Sequence, residues 1–137
     1  MFSHKVMPEL TDTDAMGHVN HGRLPIWFAN ARNPILRFFS PELDIKNWPL
    51  ILASINVNFH QQIYHALEIE VKTWVKKIGN SSFSVLQQAW QNNQCVASGE
   101  ATMVHFDYGT KKAVPIPENI RENLQQHLLS PDMSLDN

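Results

Sequence analysis

Positions 11–21, TDTDAMGHVNH, bring two aspartates, two histidines and an asparagine into one short stretch. Carboxylates and imidazoles are the groups that most often move protons near neutral pH. A carboxylate here can activate water or attack an electrophilic carbon directly. His18 and His21 with Asp12 and Asp14 have the residue types of a metal site, but H-x-x-H is a weak ligand spacing. A bland reading stands beside these. Aspartates ahead of a helix commonly cap it or close an Asx turn. Asn20 fits a helix cap as well as a substrate contact, and His18 fits a loop hydrogen-bonder. Residue types alone favour the structural role for both aspartates.

The elements around the stretch decide what it can face. FSHKVMP reads as a short first strand closed by Pro8. After the loop, Leu24, Trp27, Phe28, Ala31, Ile35 and Phe38 recur at helical spacing. Arg23, Arg32 and Arg37 are the only formal charges on this segment. The pattern predicts a long, largely enclosed helix. Pro25 is tolerated if the helix begins near His21 or Gly22. Pro34 falls in mid-pattern and is expected to kink or split it.

The second half alternates. Ile55, Val57 and Phe59 oppose Ser54, Asn56, Asn58 and His60; Leu67, Ile69 and Val71 oppose Glu68, Glu70 and Lys72. Both are strand patterns with one buried face. SSFSVLQQAW and CVASGEATMVHF follow, with turn signals at Gly79–Asn80 and Asn92–Asn93. Long strands joined by tight turns predict an antiparallel meander. A short helix is expected from Pro117, with Ile120 and Leu124 on one face, and a frayed tail from about residue 130. An apolar helix needs an enclosure and a one-faced sheet needs cover, so the sheet is expected to curl around the helix.

The 137 residues suit one domain, with no repeat or linker. The formal net charge of -2 gives no basic surface for nucleic acid. The single cysteine, Cys95, cannot form an internal disulfide and fits a reducing compartment. No long apolar run or signal peptide is evident, so the expectation is a cytoplasmic protein with no membrane partner. His4, His60, His65, His105 and His127 follow no usable pattern.

DTDAMGHVNHGRLPIWFANAR resembles the loop and central helix of hotdog-fold acyl-CoA thioesterases of the 4-hydroxybenzoyl-CoA thioesterase-like group. Asp12, Asp14, Gly17, Val19, Asn20, His21 and Ala31-Arg32 match that pattern. The likeness extends through GNSSF, ASGEATMVHFD, VPIPENI and the order of elements. It implies an α+β hotdog fold, a five-stranded antiparallel sheet wrapped around a long central helix. Asp14 takes the position of the catalytic carboxylate, and His21 that of a histidine that takes part in one subgroup. That subgroup has tyrosines where this chain has Leu10 and Leu24, and a glutamate where it has Ala29. The resemblance further implies a homodimer or homotetramer with shared sites, and no cofactor or metal.

Thioester hydrolysis needs a carboxylate, a donor for the developing oxyanion and a seat for the thiol leaving group. Asp14 supplies the first. The helix N-terminus at His21–Gly22 can supply the second, through N–H groups that lack intrahelical partners. Asn20 is a substrate contact or a cap, and Asp12 is structural. Lys76 and Lys77 are candidates for the phosphates of coenzyme A, or else a solvated strand end. Ser81 and Ser82 are hairpin residues that could meet the pantetheine arm. Trp27 and Phe28 read as core and Cys95 as inert. Two rivals stay open: hydrolysis of an acyl-carrier-protein thioester, and non-catalytic binding of acyl-CoA.

Overall fold

The computed structural model describes residues 1–130. The expected frayed tail therefore lies, beyond Ser130, outside the described residues. Strand β1 (Phe2–Val6) leads through one 3₁₀ turn (Leu10–Asp12) and the acidic loop to helix α1 (Arg23–Ala31) and helix α2 (Asn33–Phe39). Strands β2 (Leu50–Phe59), β3 (Ile69–Ile78), β4 (Ser82–Gln91) and β5 (Gln94–Asp107) follow. A two-residue strand β6 (Lys112–Ala113) and helix α3 (Glu118–Gln125) complete the described chain. The sheet is antiparallel in the order β1-β3-β4-β5-β2, with β6 beside β5. The five expected strands are present, and β6 is an addition that carried too little alternation to be read.

The meander is as the turn residues predict. Asn92 and Asn93 both take positive φ, 53° and 61°, between β4 and β5. A two-residue hairpin turn of this hand requires that conformation, and Asn tolerates it. Pro117 is the N-cap of α3, and Ile120 and Leu124 are buried beneath it.

The single long helix does not form. The chain breaks at Arg32, and α2 begins beside Pro34. Proline has no N–H to give to the carbonyl four residues back, and its ring crowds that carbonyl. The backbone turns more tightly there, with Arg32 N–H to Ala29 O at 3.1 Å and Ile35 N–H to Arg32 O at 2.9 Å. Pro25 is accommodated near the start of α1, as expected.

The concave face of the sheet holds the core in two halves. Leu24, Trp27, Phe28 and Ala31 of α1 pack on Ile69, Val71, Ala89 and Ala97. Ile35 of α2 joins Val75, Val85, Ala101, Ile120 and Leu124 at the other end. Small residues on β5 let α1 approach closely. A Cβ at Gly99 would lie 2.9 Å from a Phe28 ring carbon and from Asn56 O.

Two burial expectations fail. The helix is not enclosed all round, since Pro25, Ile26 and Asn30 of α1 are exposed. The alternation along β2 does not mark a buried face either: Ile55 is 42% and Phe59 39% exposed, although both point to the concave side with their partners Ala101 and Ala97. Strand β2 lies at the sheet edge, where Val57 still packs on the α1 half of the core and Leu50 is buried but the rest of the face is open, and alternation reports an apolar face without saying what covers it.

Candidate active site

The acidic loop is a compact double-backed turn. Asn20 N–H donates to Asp12 O at 2.8 Å, Asp14 N–H to His18 O at 2.9 Å and Gly17 N–H to Asp14 O at 3.1 Å. Thr13 and Val19 form an antiparallel bridge across it. Gly17 has φ +80°, a conformation that costs glycine little. Val19 anchors the return limb, its side chain buried and its N–H bonded to Ile63 O at 2.8 Å. The loop is therefore pinned at its base and open at its tip.

The two aspartates do different things. Asp12 is fully engaged: Oδ1 pairs with Arg23 Nε at 3.0 Å, and Oδ2 accepts from Glu9 N–H at 2.8 Å. These bonds tie the loop to the first turn of α1 and fit the structural reading. Asp14 is exposed, and among the described residues only Oδ1 has a partner, the Met16 N–H at 2.8 Å. That Asx turn fixes the direction of the carboxylate and leaves Oδ2 open to a water or a substrate. The structural and chemical readings of Asp14 thus coexist in one side chain.

The helix entrance is more selective than the sequence suggests. Gly22 N–H is taken by Asn20 Oδ1 at 2.8 Å, so Asn20 closes an Asx turn onto Gly22, the N-cap residue of α1. Arg23 N–H is bonded to Asn20 O and Leu24 N–H to His21 O. Among the described residues, the His21 N–H has no partner, which makes it the donor open to an incoming oxyanion. The exposed His21 ring stacks on Phe59 at the end of β2, with centroids 4.2 Å apart and 16° between planes. His18 meets Tyr64 edge-on at 5.5 Å.

The other site candidates are elsewhere. Lys76, Lys77, Ser81 and Ser82 flank the β3–β4 hairpin, at the end of the sheet that holds the second core half. Val19 and the loop pack against Ile69 and Val71 at the opposite end. At strand rise, roughly 20–25 Å separates the two ends of β3. Lys76 is also committed to Glu100, Nζ to Oε2 at 2.8 Å. One chain does not bring these four residues to Asp14. The signal that could have shown this is register: hairpin residues belong at the strand's far end from its start.

Cys95 is buried, its Sγ donates to Ala97 O at 3.3 Å, and burial raises its thiol pKa. Among the described residues no group of three or more His, Cys, Asp or Glu side chains is placed to hold a metal ion.

A curled antiparallel sheet that packs its concave face on a helix entered through an acidic loop is the architecture of the hotdog thioesterases. The chain belongs to the thioesterase-like superfamily, whose family model matches residues 8–124. It is similar to a predicted thioesterase from Bacillus stearothermophilus, at 32% identity over 95% of this chain and 98% of that one, with a TM-score of 0.91. A thioesterase from Thermus thermophilus, solved with coenzyme A and zinc, shares the fold at 24% identity, 91% and 92% coverage and a TM-score of 0.80. A 1,4-dihydroxy-2-naphthoyl-CoA thioesterase from Synechocystis shares it at 17% identity, 90% and 95% coverage and a TM-score of 0.77. No curated protein sequence matches the chain.

Proposed function

We propose that this protein hydrolyses acyl-CoA thioesters to free acid and coenzyme A, with Asp14 as the catalytic carboxylate. The observation that carries the reading is the open Oδ2 of Asp14 beside a helix entrance whose His21 N–H is unspent. In the general-base form, Asp14 takes a proton from water as the water oxygen bonds to the thioester carbon. The carbonyl electrons move onto oxygen, where the His21 N–H donates to them. The carbon–sulfur bond then breaks, and the thiolate leaves with that proton as the free thiol. In the nucleophilic form, Asp14 bonds to the carbon first, the carbon–sulfur bond breaks to release the coenzyme A thiolate, and water then cleaves the resulting anhydride to the free acid and the Asp14 carboxylate, its proton passing to the thiolate.

The site is read as shared between subunits of a homodimer or homotetramer. Strand β2 offers ten residues of unpaired edge next to the His21–Phe59 stack. Antiparallel pairing of two such edges sets the hairpin end of one subunit toward the Asp14 end of the other. The partner's Lys77, Ser81 and Ser82 are then the residues that meet the coenzyme A arm, and Lys76 contributes when it leaves Glu100. No described helix is long and apolar enough to cross a membrane, and we read the enzyme as cytoplasmic.

Thiol release from a panel of acyl-CoAs, run beside the matching acyl-carrier-protein thioesters, checks the reading. Turnover is expected with the CoA series, favoured over the carrier series. No thiol release from either series, by protein that is folded and oligomeric, would leave only the non-catalytic binder.

A further inference from the structure

Arg32, at the break between α1 and α2, is the only charged residue that is buried among the described residues, at 5% exposure. Burying a cation without a counter-ion is strongly unfavourable unless something repays it. No carboxylate does so here: none of the ion pairs among the described residues includes Arg32. Its side chain makes one hydrogen bond, Nη1 to Gln87 Oε1 at 3.1 Å. Gln87 is itself held in place, its Nε2 donating to Phe28 O at 2.8 Å and to Thr73 Oγ1 at 3.1 Å. The guanidinium is thus fixed in orientation by a neutral amide, and its charge is left unanswered. Burial lowers its pKa from the ordinary arginine value, but arginine stays protonated.

The rest of the guanidinium faces a cleft. Among the described residues no fully buried side-chain nitrogen lacks a partner, so Nε and Nη2, which have none there, keep some exposure, and Arg32 is one of the residues that line the cleft. The cleft beside Arg32 has a volume of about 350 Å³; its wall is mainly apolar, with Leu36, Trp48, Leu52 and Met103, and carries Asn30 and Asn33 beside the arginine. Nε and Nη2 are the two nitrogens on one edge of the guanidinium, the edge that binds a carboxylate through two parallel hydrogen bonds. An apolar trough with a bidentate cation on its wall matches a ligand that is aliphatic along its length and anionic at its end.

We propose that this cleft binds an acyl group ending in a carboxylate, and that Arg32 is the residue that selects it. The proposal rests on the thioesterase reading for the carbonyl end of the substrate and on Arg32 for the other end. Helix α1, nine residues long and so roughly 13 Å at α-helical rise, separates the acidic loop from Arg32, which calls for a chain between thioester and carboxylate.

Two measurements on the whole protein separate the two readings. The first is kcat/KM for octanoyl-, decanoyl- and dodecanoyl-CoA against the matched suberyl-, sebacyl- and dodecanedioyl-CoA. At the best length the wild type is expected to favour the carboxylated chain by at least about tenfold, through KM, as a charge-assisted bidentate contact allows. Arg32→Met should lose that preference, and Arg32→Lys, which keeps the charge without the fork, should lose part of it. The second is tryptophan fluorescence, with Trp48 on the cleft wall, titrated with free suberate and free octanoate. Suberate is expected to bind more tightly, and only while Arg32 is present. Arg32-dependent suberate binding without any hydrolysis would sustain the inference and remove the thioesterase reading. Hydrolysis by the wild type with equal or better use of plain chains would overturn the inference, even if Arg32→Met does not fold. Loss of the oligomer in Arg32→Met, with no carboxylate preference in the wild type, would also overturn it, because Arg32 would then answer a charge on the partner subunit.

Discussion

The two edges of the sheet are built to different ends. Strand β1 spans five residues and carries polar links on its outward positions, Ser3 to Glu70 and Lys5 to Glu68. Phe2 at its start is covered by the His127 ring, stacked at 4.1 Å. Short length and charge are the ordinary ways of stopping a sheet from growing. Strand β2 is twice as long, and its sequence LILASINVNF has no charge and no proline. Leu52, Ile55 and Phe59 stand exposed along its concave side. One edge terminates the sheet and the other is left ready to continue it. The acidic loop belongs to the second, through the contact of His21 with Phe59.

The sharpest way to break that comparison is to remove one carboxylate beside each edge. Asp14→Asn is nearly isosteric but cannot act as base or nucleophile. It is expected to lower kcat by about 10²–10⁴-fold. Glu70→Gln, beside β1, should leave turnover within about twofold. Circular dichroism and sizing serve as folding controls, and equal losses in the two variants would erase the distinction between the edges.

The edge itself is probed next. Ile55→Lys places a charge on the apolar side of β2, and the dimer dissociation constant should rise by about a hundredfold or more. Lys5→Ala on β1 should leave it unchanged. Light scattering across a dilution series reads both. A dimer that survives Ile55→Lys but not Lys5→Ala would mean that the wrong edge was chosen.

His21→Ala separates the ring from the backbone at the same position. The N–H survives while the stack on Phe59 is lost, an aromatic contact worth about 0.5–1.5 kcal/mol. Turnover is expected to fall by about three- to tenfold, well short of the Asp14 effect. A loss as large as that of Asp14→Asn would make the imidazole a direct participant.

The smallest effect belongs to the far hairpin. Lys76→Ala with Lys77→Ala should raise KM for acyl-CoA by about two- to fivefold and leave kcat nearly unchanged, because contacts to phosphate are remote from the bond being broken. An acyl-pantetheine lacking the nucleotide should show no such change. An equal loss on both substrates would detach these lysines from the coenzyme A arm.

Local features were legible in the sequence because they rest on local physics. The turn at Asn92–Asn93, the start of α3 at Pro117 and the strand pattern of β3 each follow from a few neighbouring residues and their backbone preferences. The break in the central helix was legible as a warning at Pro34, but α-helical periodicity continues through Ile35 and Phe38, so the pattern alone kept one helix where there are two. The family resemblance of the acidic loop, and not its composition, singled out Asp14, while only the folded loop assigned Asp12 to Arg23 and Asn20 to Gly22.

What the sequence determined by itself was which faces are apolar, where the chain turns and which residues can do acid–base work. These depend on side-chain type and on spacings of two to four residues. Only the tertiary structure decided what covers each apolar face, because cover is supplied by elements distant in the chain. Strand β2 has the alternation of a buried strand and lies at an edge with Leu52, Ile55 and Phe59 exposed. Arg32, in the sequence a charge on the helix and part of the family pattern, is buried against Gln87, fifty-five residues away. Lys76 and Asp14 look like parts of one site and lie at opposite ends of one sheet, since a strand of ten residues spans most of the molecule.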